Sequence, residues 1–288
     1  MNVGTTPSLE PLTVGQILDR AFRLYRRRFL TFVGIIAVAL VPLTLIQLVL
    51  NVVNIPDVLA ATEQFDEALA YPSGGSGLRE FLGLWSAASG GQYALVFSVL
   101  QIVLVQSFAT AALARAVGDG YLGETTDISG AYRRVGTVWT RLLWAVLLGL
   151  LLTIGLALFA FVPCVGWLVG LGILIYYSLA IYPMLPPVLV LEGQTATGVF
   201  RRAWDLVRRR FWWVLGFMLL LSLFGQIIIG GPVFLLTFGL NMALQDMTIA
   251  NPVAAMTIQT VIQSVMTLLL NLLYLPLQMT AITLMYID

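Results

Sequence analysis

Fifty consecutive residues, 142–191, carry no charged side chain. A helix rises about 1.5 Å per residue, so about 20 residues cross a hydrocarbon core of about 30 Å. The run is therefore long enough for two crossings, and Pro163-Cys164-Val165-Gly166 near its middle supplies a turn. Further uncharged runs cover 30–53, 93–114, 211–245 and 247–287. They predict spans at 30–53, 93–114, about 142–162 and 166–189, a fifth ended by Gly230-Gly231-Pro232, and a sixth within 247–287. Residues 233–252 are left as a short interfacial helix or a re-entrant piece. Composition weighs against a buried soluble core: 59% of residues are hydrophobic and 10% charged, too few to cover such helices with polar surface. The expected fold is all-α, a polytopic bundle of six transmembrane helices, with residues 1–288 as a single integral membrane domain.

Arginine sets the expected orientation. Arg20, Arg23, Arg26, Arg27 and Arg28 precede the first span. Arg115, Arg133, Arg134 and Arg141 lie between the second and third, and Arg201, Arg202, Arg208, Arg209 and Arg210 between the fourth and fifth. Fourteen of fifteen arginines thus fall on one side and only Arg79 on the other. The positive-inside rule puts both termini in the cytoplasm and the loop at 54–92 outside, as in a multi-pass protein of a bacterial inner membrane. That loop carries Asp57, Glu63, Asp66, Glu67 and Glu80 against Arg79, with a Gly/Ser-rich turn at 73–77. Its Phe81, Leu84 and Trp85 suggest a segment resting on the outer interface. The first apolar run starts too late and runs too long for a cleaved signal peptide.

A repeat precedes every odd span. Residues 13–29 (TVGQILDRAFRLYRRRF) and 195–211 (TATGVFRRAWDLVRRRF) agree at eight of seventeen positions. Residues 127–143 (DISGAYRRVGTVWTRLL) share the pattern with little identity. Positions Ile17, Leu18, Ala21, Phe22, Tyr25 and Phe29 follow helical spacing and stay apolar or aromatic in the other copies, one glycine apart. Arg20 corresponds to Arg134 and Arg202, and Arg27 to Arg141 and Arg209; Thr13, Asp127 and Thr195 are candidate N-caps. The pattern predicts three units, about 13–117, 127–191 and 195–288, each an amphipathic helix in the cytoplasmic interface followed by a helical hairpin. The aromatic face would sink among acyl chains and the arginines would reach lipid phosphates, each contributing about 1 kcal/mol beside an anionic leaflet. The expected partners are membrane lipids with anionic headgroups, through Arg20, Arg23, Arg26, Arg27, Arg28, Arg133, Arg134, Arg141, Arg201, Arg202, Arg208, Arg209 and Arg210. Fixing topology is the plainer role of the same residues. Their place beside spans favours lipid over nucleic acid as the anion.

The sixth span carries Gln259, Gln263, Thr267, Asn271, Tyr274 and Gln278 on one helical face. A polar stripe does not face lipid; it bonds to other helices or lines a wet path. Gln47, Gln101, Gln106 and Gln226 are candidate partners. Glu192, after Pro183, Pro186 and Pro187, is a possible gate or cap, or a bridge to Arg201 or Arg202. Asp19 and Asp205 are expected to make local ion pairs. Gly149, Gly155, Gly166, Gly170 and Gly172 are read as points of close helix approach, and Cys164 as a turn residue. The chain has no histidine, no lysine and one cysteine, which excludes imidazole metal sites, histidine acid–base catalysis, an internal disulfide and lysine Schiff bases. No catalytic, cofactor or metal motif is expected.

Residues 11–22 (PLTVGQILDRAF) resemble the opening of bacterial proteins with the membrane domain of glycerophosphoryl diester phosphodiesterases. Leu191-Glu192-Gly193 with Arg202-Ala203-Trp204 and residues 206–212 (LVRRRFW) is similar to a second signature of that family, and Tyr286-Ile287-Asp288 to its terminal pattern, cut short. The resemblance implies a multi-span helical domain, joined in some members to a phosphodiesterase barrel. That barrel's histidines and metal-binding carboxylates have no counterpart here, so the resemblance does not imply its activity. The expected function is non-enzymatic organisation of lipids or partner proteins through the arginine helices. The alternative is a small transporter or lipid-translocating protein using the polar face of the sixth span.

Overall fold

The computed structural model describes residues 13–70, 91–121, 123–124, 127–160, 162 and 165–287. Helices dominate, and no strand occurs among the described residues. In chain order they are α1 (Val14–Arg27), α2 (Phe29–Val53), α3 (Ile55–Ala70), α4 (Val96–Tyr121), α5 (Ile128–Gly136) and α6 (Trp139–Ala160), then α7 (Gly166–Glu192), α8 (Ala196–Arg209), α9 (Phe211–Ala243), α10 (Gln245–Ala250) and α11 (Pro252–Ile287). Six of these, α2, α4, α6, α7, α9 and α11, are long and apolar enough to cross a membrane. Leu30 and Leu168, each 82% exposed, and Trp212 at 80% show how openly these helices display apolar side chains. Such a surface calls for hydrocarbon rather than water around it.

The start signals of the amphipathic helices are local. At α1, the Thr13 hydroxyl accepts from the Gln16 amide at 3.5 Å while the Gln16 side chain accepts from the Thr13 amide at 2.9 Å, a reciprocal cap. At α8, the Thr195 hydroxyl accepts from the Gly198 amide at 3.3 Å. Asp127 occupies the same position before α5, but its carboxylate accepts from the Ser129 hydroxyl at 2.9 Å instead of closing a cap bond of this kind. That hydrogen bond lowers the Asp127 carboxyl below its ordinary range.

The fifth span departs from expectation. Gly230-Gly231-Pro232 does not end it; α9 runs on to Ala243. A proline inside a helix lacks one donor and crowds the carbonyl four residues back. The chain accommodates this by widening residues Gln226–Gly230 into a π-helical turn, so that Pro232 falls at the start of the next α-helical stretch. Residues 233–243 therefore continue the same helix rather than forming a separate element, and α10 follows after a break at Leu244. With 33 and 36 residues, α9 and α11 are about 50 and 54 Å long, longer than a hydrocarbon core of about 30 Å requires. The second span also extends past its uncharged run, taking Arg115 and Asp119 into α4. In α7 the backbone is π-helical over Tyr177–Ile181, upstream of the prolines, and 3-10 over Tyr182–Met184, which contains Pro183, before α-helix resumes ahead of Pro186 and Pro187. Gly193, at φ 65°, ends α7 in the left-handed conformation that glycine adopts without strain.

The chain forms two compact units. The first comprises residues up to Ile35, Phe108–Leu221 and the chain from Leu275. Its core holds the ends of three even-numbered spans: α4 from Thr110 to Asp119, α7 around Leu185, Val188 and Leu189, and α11 from Thr280 to Met285. Each amphipathic helix adds a buried row: Ile17, Ala21 and Tyr25 from α1, Ala131 and Val135 from α5, Val199, Ala203 and Val207 from α8. Against water, burying a valine or isoleucine side chain stabilises by about 1.5–3 kcal/mol. The rows are one edge only of the expected apolar face. Phe22 and Trp204, one position on from Ala21 and Ala203, stay 55% and 46% exposed. Tyr132 of α5 donates to the Ile35 carbonyl at 2.6 Å, and burial pushes its hydroxyl up to about 12. Glycine works where expected at the α6–α7 hairpin: a Cβ on Gly166 would collide with the Phe159 carbonyl oxygen, and one on Gly170 would lie 3.0 Å from the Ala160 Cα. Gly149 is similarly close to Tyr177, whereas Gly155 and Gly172 face open space and allow no close approach. Cys164, the 73–77 turn, Phe81, Leu84 and Trp85 lie outside the described residues.

The second unit comprises Ile36–Ser107 and Ser222–Tyr274. Gly225 of α9 sits against the ring of Tyr274 of α11, where an added Cβ would lie 2.6 Å from the ring. This close seam, and the polar contacts beside it, hold α9 and α11 together.

Candidate functional site

The arginines divide by what they touch. Arg134 of α5 pairs with Asp119, near the end of α4, at 2.7 Å. Arg202, at the equivalent position of α8, pairs with Glu192, the last residue of α7, at 3.0 Å. In both cases an amphipathic helix is pinned to the end of the span that precedes it. Asp119 is 3% exposed and also has Arg115 Nε at 3.5 Å, one turn back. Glu192 is held by three neighbours: Arg202, the Gln194 amide at 3.4 Å and the Tyr286 hydroxyl, which donates at 2.5 Å. Glu192 therefore bridges rather than caps, and it reaches Arg202, one of the two partners expected. The hydrogen bonds and charge of Glu192 raise the Arg202 guanidinium above its already high range. Two further arginines serve backbone: Arg28 donates to the Glu124 carbonyl, and Arg141 to the Gly193 carbonyl at 3.3 Å. Asp19 and Asp205 are not among the ion pairs of the described residues, so the local pairing expected of them does not form at contact distance.

Five further arginines, three on α1 and two at the end of α8, frame two clefts, both inside the first unit. One has about 210 Å³ and is lined by Arg20, Arg23 and Arg27 on one face of α1, with Leu24, Gly120, Tyr121 and Leu284. The other has about 280 Å³ and is lined by Arg209 and Arg210, with Leu206, Trp213 and Val214 and with Met184, Met285 and Tyr286. Leu24 and Arg27 of the first correspond to Leu206 and Arg209 of the second, 182 residues on. Each cleft lies at an elbow where an amphipathic helix turns into a span. The elbow residues have related backbones, φ −124° and ψ 31° at Arg28 and φ −132° and ψ 47° at Arg210. Among the described residues, the guanidinium groups of Arg20, Arg23, Arg27, Arg209 and Arg210 make no ion pair. A third cleft, of about 440 Å³, is apolar and runs between α6 and the start of α8, lined by Leu148, Leu151, Leu152, Gly155, Thr197 and Phe200.

Part of the polar stripe of α11 is bonded to α9. Gln263 donates to the Thr237 hydroxyl at 2.9 Å, and Gln259 to the Asn241 side chain at 3.2 Å. Asn271 donates to the Thr267 carbonyl of its own helix at 2.9 Å, and Tyr274 is buried against Gly225. For Gln263 and Gln259 the bonded partners are Thr237 and Asn241 of α9, which the sequence reading did not propose. Both errors, in span length and in partner, have one origin. Ending the fifth span at Pro232 removes Thr237 and Asn241 from the segment that faces α11. Gln278 remains half-buried, with no hydrogen bond described for it.

Compared with family models, curated proteins and solved structures, the chain matches none. Its chemistry has to be taken from the site. Paired arginines position helices; unpaired ones, each beside apolar side chains, offer planar donors to an anion that carries an apolar tail. Asp119 and Tyr286 are the functional residues missed at the sequence level. Arg115 and Asp119 at i,i+4 on a span end were the available signal for the first. No local pattern points from Tyr286 to a carboxylate 94 residues away.

Proposed function

We propose that this membrane protein is non-enzymatic and organises lipids or partner proteins through its arginine-rich helices, with anionic headgroups as the direct ligands. The observation that carries the reading is the set of five guanidinium groups standing over apolar side chains at the two elbows. In this reading the elbows lie at the cytoplasmic face of a bacterial inner membrane, both termini are cytoplasmic, and α1, α5 and α8 are the interfacial helices of three repeats. The buried rows at equivalent positions and the matching elbow backbones support the repeat. Membership of the glycerophosphodiesterase membrane-domain family, without its enzyme, is part of the same proposal. Transport along the α11 stripe is the weaker reading, because the Gln259 and Gln263 side chains are bonded to α9.

The test is lipid selection. Full-length protein is extracted in native nanodiscs from membranes of defined composition, and the lipids within the discs are quantified. Enrichment of anionic over zwitterionic lipid relative to the bulk is expected, falling when the five elbow arginines become glutamine. Discs with bulk composition for both proteins would refute the reading.

A further inference from the structure

We propose that the two elbow clefts are discrete sites for a phosphate-ester headgroup of net negative charge, placed on opposite sides of the last turn of α11. The inference rests on the lipid reading above but asks more of it: two sites, not a diffuse basic surface.

The geometry separates the two possibilities. Arg20, Arg23 and Arg27 lie three and four residues apart, so their side chains leave one face of α1 together. Arg209 and Arg210 end α8 where the chain bends, which turns both toward one hollow. By contrast Arg26, Arg201 and Arg208 are exposed on the same helices and line neither cleft. Arginine presents a planar fork of donors that matches the oxygens of a phosphate, and two or three forks on one hollow suit an anion of one to two charges. Apart from Tyr121 in one cleft and Tyr286 in the other, the main remaining side chains are apolar: Leu24 and Leu284 in the first, Leu206, Val214 and Met285 in the second. Volumes of about 210 and 280 Å³ sit just below the range of about 300–1,000 Å³ of small-molecule sites. They suit a headgroup rather than a whole lipid, with the esterified chains leaving along the span.

The end of α11 is the shared wall. Leu284 lines one cleft, and Met285 and Tyr286 line the other; residues 284 and 286 point about 200° apart on a helix. Tyr286 also donates to Glu192, which holds Arg202. An occupant of the larger cleft therefore touches the same tyrosine that bridges α11 to α7 and α8. The two clefts share two repeat-equivalent positions, Leu24 with Leu206 and Arg27 with Arg209; Arg20 and Arg23 correspond to Arg202 and Asp205, and Arg210 to Arg28, which line neither cleft. In the middle copy the corresponding Arg141 is engaged by the Gly193 carbonyl, which accounts for two sites rather than three.

The experiment is native mass spectrometry of the full-length chain in detergent. It is titrated with phosphatidic acid, phosphatidylglycerol or phosphatidylcholine of identical acyl chains, and separately with glycerol 3-phosphate and inorganic phosphate. Two tight anionic adducts are expected. R209Q/R210Q should weaken one step at least tenfold, R20Q/R23Q/R27Q the other, and R201Q/R208Q neither. Leu206→Trp, which keeps every arginine and fills the larger cleft, should remove the same adduct as R209Q/R210Q. Far-UV circular dichroism and monodisperse elution check that each variant is folded. Competition by glycerol 3-phosphate at equal strength would assign the sites to free phosphate esters, and its failure to compete would assign them to lipid. Equal losses from R201Q/R208Q and R209Q/R210Q would overturn the sites while leaving the lipid reading intact. Equal binding of phosphatidylcholine and the anionic lipids would overturn both.

Discussion

The most stringent test of the packing concerns Asp119 and Arg134. The pair is 2.7 Å apart, with the carboxylate side chain 5% and the guanidinium 46% exposed. At an effective dielectric of 20, charges at that distance attract by about 6 kcal/mol. Desolvation of the carboxylate and solvent screening of the half-exposed arginine remove most of this, leaving about 2 kcal/mol of coupling. Arg115 Nε at 3.5 Å partly compensates Asp119 when Arg134 is lost, so R134Q alone should cost about 2 kcal/mol, below the 3–5 kcal/mol typical of an orphaned buried charge. The Glu192–Arg202 pair is the internal control. Its carboxylate side chain is 24% exposed and keeps donors from Tyr286 and Gln194, so its coupling should be about 0.2–1 kcal/mol. The assay is reversible unfolding in mixed micelles by SDS titration, followed by circular dichroism, for both double-mutant cycles: D119N with R134Q, and E192Q with R202Q. A coupling at Asp119–Arg134 below about 0.5 kcal/mol, or no larger than that at Glu192–Arg202, would refute the claim that burial sets the strength of these clamps.

Two further outcomes follow from the seams between helices. Gln263→Leu should cost about 0.6 kcal/mol, the mean for a hydrogen bond between membrane helices, and Thr237→Val should add nothing further on top of it; additive losses in the same unfolding assay would show that the two side chains are not partners. Gly166→Ala should destabilise by more than the about 1–3 kcal/mol of ordinary overpacking, because the obstacle is the backbone carbonyl of Phe159 rather than a flexible side chain. Gly225→Ala meets the ring of Tyr274 instead and should be relieved by Tyr274→Leu; if G166A is the milder of the two, the hairpin is not packed through its backbone.

Much was legible in the order of residues along the chain. Uncharged length, with the Pro163–Gly166 turn dividing the longest run, anticipated six helices long and apolar enough to cross a membrane, because a lipid environment admits helices with every backbone group satisfied internally and disfavours charge. Helical spacing and the caps at Thr13 and Thr195 predicted α1 and α8, since both signals act within a single turn. The exact repeat of Leu24 and Arg27 at Leu206 and Arg209 was readable as a pattern, though not as a pair of clefts.

Tertiary structure decided the rest, and for one physical reason: these outcomes depend on groups far apart in sequence. Local rules say that Gly-Gly-Pro stops a helix. In α9 a π-helical turn absorbs the proline and carries Thr237 and Asn241 up to the polar face of α11. Spacing alone gives Arg20, Arg134 and Arg202 the same role. Asp119 and Glu192, brought in by the ends of α4 and α7, turn two of them into clamps and leave the charge of Arg20 to an open cleft. The amphipathic pattern marks one broad apolar face, and only the surrounding helices determine that Ala21 is covered while Phe22 is not. A residue's type and spacing set what it is able to bond; which partner arrives within 3 Å is a property of the assembled chain.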